Sequence, residues 1–232
     1  GATVVFADAD VGTGKTVTVT GSILAGATAG NYTLTQPSGL SADITPADLS
    51  LTGAAVTSKV YDATTTAPLD FSAATFVGVQ GSDALTLDSS AASGTYADAG
   101  IGTAKPVTYS GLSFTGTGAA NYDFTAPTLT GDITPAVITV SANNVARPFG
   151  DPNPTLVATY TGFVGGEDDS VITGAPVLTT DALRTSPIGT DYIITVQVGT
   201  LAAANYTFTP VDATFEVEPG FHFADTDRDN TI

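Results

Sequence analysis

Short runs of alternating apolar and polar residues recur along the whole chain. In Val17-Thr18-Val19-Thr20, for example, β-branched apolar residues alternate with threonines, and this period of two predicts a strand with one buried face. Glycines separate these runs, and no convincing amphipathic helix is found. In the first 47 residues the pattern predicts four strands, at residues 3–6, 16–20, 32–35 and 42–45. The sequence therefore predicts an all-β protein.

A pair of short motifs occurs three times. An asparagine-tyrosine dipeptide is followed about ten residues later by a strand-like segment that ends in or next to proline. The three copies are Asn31-Tyr32 with residues 43–47, Asn121-Tyr122 with residues 132–136, and Asn205-Tyr206 with residues 215–219. They lie roughly 85 to 90 residues apart, the size of one small β-sandwich domain. The chain therefore consists of tandem modules.

Comparison of the copies sets the module boundaries. Residues 6–15 match residues 96–105, whereas residues 49–87 have no counterpart before residue 1. We expect a first repeat (residues 1–47) that is the second half of a module, a complete second repeat (48–136), a diverged third repeat (137–219) and an acidic tail (220–232). Proline at each short joint fixes φ, which predicts stiff connections. The predicted architecture is an extended rod of immunoglobulin-like β-sandwiches.

Composition narrows the classes of partner. Acidic residues outnumber basic ones 23 to 6, giving a net charge of −17 that repels nucleic acid and anionic membrane surfaces. Divalent cations are plausible counter-ions. The chain has no cysteine, so its stability cannot depend on disulfides. No apolar run has the length of a membrane span and Gly1 opens no signal-peptide pattern, so we expect a processed or excised piece of something longer.

The residues needed for catalysis are missing from the pattern. The sequence has one histidine, His222, and no paired carboxylates in a setting that would raise a pKa. Residues 12–16 superficially resemble a phosphate-binding loop, but they lack the first glycine and precede a strand. The sequence therefore predicts a protein that is not an enzyme.

Several segments resemble known repeats of bacterial surface proteins. Residues 59–66 (KVYDATTT), residues 102–107 and the Asn121-Tyr122 block are similar to the YDG-type repeat, and residues 149–154 (FGDPNP) with Asn205-Tyr206 are similar to the MBG (mostly beta, glycine-rich) repeat. This resemblance implies the stalk of a filamentous-haemagglutinin-like adhesin or a surface filament, located outside the cell at a bacterial surface. The sequence departs from the family at Ala63, where glycine is usual, and at Arg147 and Phe149, where lysine and tyrosine are usual.

The repeated polar residues allow two interpretations. The asparagine-tyrosine pairs could form a ladder of ligand sites, or the asparagine could make a turn while the tyrosine enters the core with its hydroxyl bonded to backbone. Lys15 and Lys105 occupy equivalent positions and could form intramolecular isopeptide bonds with asparagine, a reaction that needs a buried lysine and a carboxyl catalyst.

The acidic tail resembles the start of an EF-hand or dockerin-type calcium loop. Its candidate metal ligands are Asp225, Asp227, Asp229 and Thr231, which match loop positions 1, 3, 5 and 7. The acid at position 12 is missing, so these residues alone should bind calcium weakly or not at all. The other interpretation is a solvated acidic tail. A competing function is therefore a calcium- or carbohydrate-binding module, in which exposed loops of the third repeat such as residues 165–169 hold the ligand.

A half-module should expose its apolar face. The residues expected to be bare are Val4, Phe6, Val17, Val19, Ile23, Tyr32 and Leu34. Three outcomes are open: the segment packs onto the second repeat, stays frayed as an artefact of excision, or accepts a strand from another subunit. The expected partners are other copies of the chain or neighbouring modules of a longer one. Strand addition between copies would be heterologous and would grow into a filament. The candidate donor is the tail, where Phe221, Phe223 and Ile232 are the apolar residues that could fill such a groove.

Overall fold

The structure, a computed structural model, describes residues 1–220. These residues form strands joined by turns, together with three single-turn 3₁₀ helices at Ala29–Asn31, Ala119–Asn121 and Asp169–Val171. The all-β prediction is confirmed. Within the described part, no helix is long or apolar enough to cross a membrane.

The first repeat contains three strands, β1 (Thr3–Phe6), β2 (Gly12–Thr20) and β3 (Leu40–Ile44). The second repeat contains β4 (Ala47–Thr52), β5 (Ala55–Val56), β6 (Lys59–Val60), β7 (Thr66–Ala67), β8 (Leu69–Asp70), β9 (Thr75–Val77), β10 (Leu85–Asp88), β11 (Ser93–Tyr96), β12 (Gly102–Ser110), β13 (Ser113–Gly116), β14 (Tyr122–Thr125) and β15 (Leu129–Thr134). The third repeat contains β16 (Ala136–Ala142), β17 (Val145–Pro148), β18 (Ala158–Thr161), β19 (Val177–Thr180), β20 (Gly189–Gln197), β21 (Tyr206–Val211) and β22 (Ala213–Glu218).

The strands pair into several small sheets. Their orders are β1-β2-β3, β14-β4-β9, β6-β15-β12-β11-β7, β10-β13, β5-β8, β18-β16-β21 and β17-β22-β20-β19. The second and third repeats share one topology. The first strand of each repeat runs parallel to its next-to-last strand (β4 with β14, β16 with β21), and an early strand runs parallel to its last (β6 with β15, β17 with β22). Residues from the two ends of each of these repeats are therefore hydrogen-bonded together.

The first repeat keeps only part of this topology. Its order β3-β2-β1 repeats the orders β15-β12-β11 and β22-β20-β19 of the later repeats. Residues 32–35, predicted to be a strand, have no regular structure, so that prediction is wrong. The physical reason is a missing partner: the matching strands β14 and β21 each pair with the first strand of their own repeat, and the first repeat has no such strand.

The described residues cluster into two compact units. One comprises residues 1–57, 67–95 and 106–130, and the other comprises residues 58–66, 96–105 and 131 onward. The module boundaries predicted from the repeats stay a prediction. In the first unit Leu49 is buried, and the rings of Phe76, Phe114 and Phe124 meet with centroids 5.6 to 6.4 Å apart. The core of the second unit is formed by Ala182, Ile194, Phe215 and Val217.

The first repeat contributes little to either core. None of residues 1–46 is buried. Five of the seven apolar side chains predicted to be bare are exposed: Val4, Phe6, Ile23, Tyr32 and Leu34. Val17 and Val19 are half-buried, because they alternate toward one face of β2, the middle strand of its sheet. The predicted exposure is confirmed for these five side chains, and the assignment of residues 1–47 as half of a module stays a prediction.

Candidate interaction site at the asparagine-tyrosine corners

The three asparagine-tyrosine pairs, which we call corners, share one backbone geometry where a turn meets extended chain. Asn31 and Asn121 each end a 3₁₀ turn, and Asn205 lies in a turn. The following tyrosine is extended, with φ and ψ of −127° and 149° at Tyr32 and −121° and 145° at Tyr122. Asparagine suits the turn because its side chain bonds nearby backbone groups, and tyrosine suits a strand.

The tyrosine of each later corner is anchored by a loop of its own repeat. The Tyr122 hydroxyl accepts the Gln80 N–H at 2.8 Å and donates to Asp83 Oδ2 at 2.8 Å. The Tyr206 hydroxyl accepts the Val164 N–H at 3.2 Å and donates to Glu167 Oε2. Both rings are buried, as predicted.

Tyr32 differs from these two tyrosines. Its side chain is 71% exposed, against 9% for Tyr122 and 7% for Tyr206. The core-tyrosine interpretation therefore fails for this copy, whereas the prediction that Tyr32 is bare is confirmed. The strand and the loop that cover the other two tyrosines have no counterpart in the first repeat.

The asparagine of each later corner bonds to the preceding repeat. Asn121 Oδ1 accepts the Val11 N–H at 2.9 Å, and its Nδ2 donates to Asp10 Oδ1 at 3.1 Å. Asn205 Oδ1 accepts the Ile101 N–H at 3.1 Å. Val11 and Ile101 occupy the same place in their repeats, directly before the glycine that begins β2 or β12. The same amide-to-backbone contact therefore joins the first repeat to the second and the second to the third.

At the joint between the second and third repeats, one carboxylate holds two tyrosines. Glu167 accepts from Tyr61 at 2.8 Å through Oε1 and from Tyr206 through Oε2, and the two rings meet edge to face with centroids 5.4 Å apart. The bond to Glu167 is the main reason why the pKa of Tyr61 is raised, whereas burial is the main reason for Tyr206. Ala63, two residues after Tyr61, lies against Gly165, where an added β-carbon would meet the Ala63 β-carbon at 2.3 Å.

The lysines stabilise the turns that the asparagines contact. Lys105 Nζ donates to Asp98 Oδ1 at 2.5 Å and to the Gly100 carbonyl at 2.6 Å, and Lys15 makes the equivalent bonds to Asp8 and the Asp10 carbonyl. These partners are carboxylates and carbonyls, whereas the isopeptide interpretation requires an asparagine. In the third repeat, Tyr192 takes the lysine position and its hydroxyl donates to the Pro187 carbonyl at 2.9 Å.

Lys59 closes the YD loop in a similar way. Its ammonium group donates to Asp62 Oδ1, to the Thr64 carbonyl and to Thr64 Oγ1, at 2.8, 2.8 and 3.0 Å. The bond from Lys59 is the largest cause that lowers the pKa of Asp62 to about 2. The charged residues of this loop therefore hold Tyr61 in place at the joint.

A cavity of about 480 Å³ lies at the joint between the first and second repeats. Its polar lining includes Asp10, Asp83, Asn121 and Tyr122. These groups bond to one another or to backbone, as described above. Among the residues that the structure describes, no three histidine or acidic side chains lie close enough together to hold a metal ion. The predicted ligands Asp225, Asp227, Asp229 and Thr231 lie outside the described residues.

Comparison with known families identifies the repeats. The family model of the YDG domain matches residues 1–39 and 45–130, which is more than half of the chain. The chain belongs to the YDG domain family. The model of the MBG domain (YGX type) matches residues 138–216, so both resemblances are confirmed. No curated protein and no solved structure matches the chain. YDG and MBG domains are typical of surface proteins.

Two carboxylates that anchor the corners were missed by sequence reasoning. Asp83 in the second YDG repeat and Glu167 in the MBG repeat each lie 39 residues before the tyrosine that they bind. The backbone donors at Gln80 and Val164 each lie 42 residues before it. This common spacing is a detectable signal, but an acidic residue in a glycine-containing loop does not by itself indicate a tyrosine partner.

Proposed function

We propose that this YDG and MBG chain is a non-enzymatic structural segment of an extracellular bacterial protein, serving as the stalk of an adhesin or as the subunit of a surface filament. The proposal depends on one observation: the repeated polar side chains form hydrogen bonds between neighbouring repeats. Asn121, Asn205, Tyr61 and Glu167 bond one repeat to the next. Because these side chains bond to a neighbouring repeat, we assign them the role of connecting the repeats.

The proposal includes assembly by strand complementation. In the first YDG repeat, residues 32–35 lack the parallel partner that β4 and β16 provide in the later repeats. An unpaired segment beside exposed apolar side chains is the arrangement that accepts a strand from another chain. The partners are therefore other copies of this chain or neighbouring modules of a longer one. The charge of −17 argues against nucleic acid and against direct insertion into a membrane.

Light scattering of the purified chain tests this function. The chain should form particles larger than a monomer at high protein concentration, and added salt should promote assembly because it screens repulsion between copies. Deleting residues 220–232 should abolish assembly and leave the circular dichroism of the later repeats intact. A second variant keeps the tail length and replaces Phe221 and Phe223 with serine. It should also prevent assembly if the apolar side chains of the tail are what the first repeat binds.

Two results would contradict the assembly proposal. Particles that persist after the deletion would exclude the tail as donor, and a chain that stays monomeric at every concentration and salt level would exclude filament formation. A stalk role would remain in the second case, and electron microscopy of a longer piece of the protein would then test it.

The competing binding function receives no support from the loop at residues 165–169. Both oxygens of Glu167 accept tyrosine hydroxyls, and Asp168 Oδ1 accepts the Ser170 N–H at 2.9 Å. A glycan array would detect carbohydrate binding, and melting curves with and without calcium would detect calcium binding.

A further inference from the structure

Both joints between repeats are built from the same parts. The preceding repeat supplies an amide N–H just before a glycine, at Val11 or Ile101. Its last strand is joined to the first strand of the next repeat by Thr45-Pro46 at the first joint and by Pro135 alone at the second. The following repeat supplies the corner. Its asparagine accepts the amide N–H, and its tyrosine pairs with the incoming strand, as in Ala47 with Tyr122 and Ala136 with Tyr206.

Within the described residues, two halves of such a joint lack their counterpart. In the first YDG repeat, the corner at Asn31-Tyr32 has no incoming strand, and Tyr32 and Leu34 are 71% and 39% exposed. In the MBG repeat, Ile188 stands in the place of Val11 and Ile101, directly before Gly189 at the start of β20. Its side chain is 58% exposed.

The MBG turn is held in the same manner as the turns already in use. The Tyr192 hydroxyl donates to the Pro187 carbonyl, as the lysines donate to the carbonyls of Asp10 and Gly100. After it, β22 ends at Glu218 and is followed by Pro219, the counterpart of the joint prolines Pro46 and Pro135.

We infer that Asn31-Tyr32 is the docking surface for the MBG end of a second copy of this chain, with Asn31 Oδ1 accepting the Ile188 N–H. In the same contact, the residues after Pro219 of that copy lie parallel to residues 32–35, in the place that β4 and β16 take in the later repeats. This inference rests on the proposed function and specifies the geometry of its contact.

The length of the tail fits one strand. Residues 221–232 number twelve, and β4 uses six. Six extended residues span about 20 Å. Among the described residues, the MBG end and the first repeat bring no loop equivalent to the one that carries Asp83 or Glu167 at the internal corners. The contact between copies is therefore weaker than the internal joints, and we expect it to form only at high protein concentration.

Disulfide trapping tests the register directly, because the chain has no cysteine of its own. Two single variants, Asn31→Cys and Ile188→Cys, are mixed at concentrations at which the wild-type chain assembles, and are then oxidised. A disulfide requires α-carbons within about 7 Å, so only the proposed contact joins the two variants. The positive control is the double variant Asn205→Cys with Ile101→Cys, which should close within one chain.

The matched negative control mixes Asn31→Cys with Ile101→Cys, since the Ile101 amide is already occupied by Asn205. We expect a heterodimer linked between positions 31 and 188, identified by peptide mass spectrometry, at a yield at least tenfold above that of the negative control. Removal of residues 220–232 should abolish it.

The outcomes separate this inference from the proposed function. Assembly by light scattering without a 31–188 link would overturn the proposed register and leave strand complementation standing. If neither assembly nor a link occurs although the positive control closes, a second copy is excluded as the occupant, and the surface is left to a preceding module of a longer chain.

Discussion

Replacing Tyr206 with phenylalanine removes one hydroxyl from the joint between the second and third repeats and keeps the ring. That hydroxyl donates to Glu167 and accepts the Val164 N–H at 3.2 Å. A hydrogen bond to a charged group contributes about 1.5–3 kcal/mol, and a buried N–H left without a partner costs about 1–3 kcal/mol. Because Glu167 is only half-buried and keeps its bond from Tyr61, the lower end of each range applies. We expect a loss of about 2.5 kcal/mol.

Hydrogen exchange measured by mass spectrometry checks this value locally. A loss of about 2.5 kcal/mol should speed exchange of the peptide that contains β21 by roughly 60-fold, since about 1.4 kcal/mol corresponds to a factor of ten. The matched control is Tyr32→Phe at the equivalent corner. That side chain is 71% exposed, so its variant should change stability by less than about 0.5 kcal/mol.

A double-mutant cycle with Glu167→Gln assigns the effect to the pair. If the hydroxyl acts through the carboxylate, the Tyr206→Phe change should cost clearly less in the glutamine background. The reasoning is refuted if Tyr206→Phe and Tyr32→Phe change exchange equally, or if the two substitutions at the joint are additive.

Four other predictions follow, two from the described structure and two from the sequence. Ala63 has φ of 61°, which costs an L-residue roughly 1–2 kcal/mol, so Ala63→Gly should raise the urea midpoint, whereas Ala67→Gly in β7 should lower it. The depressed pKa of Asp62 makes its contribution to stability complete above about pH 4 and lost as pH falls toward 2; acid unfolding curves of Lys59→Met should lack this loss. The short proline joints read from the sequence predict an elongated particle, so small-angle scattering should give a length above about 80 Å, and a radius of gyration near 17 Å would contradict that expectation. Calcium titration should find no submicromolar site in residues 221–232, because they hold no acid at the twelfth loop position.

Local pattern was enough to predict the strand content and the repeats. Alternation in residues 16–20 and the recurrence of the asparagine-tyrosine dipeptide required no knowledge of distant contacts, because side-chain period and turn chemistry are local properties. The exposed apolar side chains of the first repeat also followed from the sequence, since comparison of the copies showed which strands it lacks. The failure at residues 32–35 has the same origin: a strand forms only where a partner satisfies its backbone groups.

Tertiary structure alone decided what the repeated polar residues do. Asn121 and Val11 are 110 residues apart, and Asn205 and Ile101 are 104 apart, so no local pattern indicates that they bond. Parallel pairing of the first strand with the next-to-last brings these residues together, and such long-range pairing depends on the fold of the whole repeat. The assignment of Glu167 to two tyrosines has the same cause. The alternation of apolar and polar residues in the sequence determines which face of a strand is buried. The hydrogen-bond partner of each polar side chain, in contrast, is determined only by how the whole chain folds.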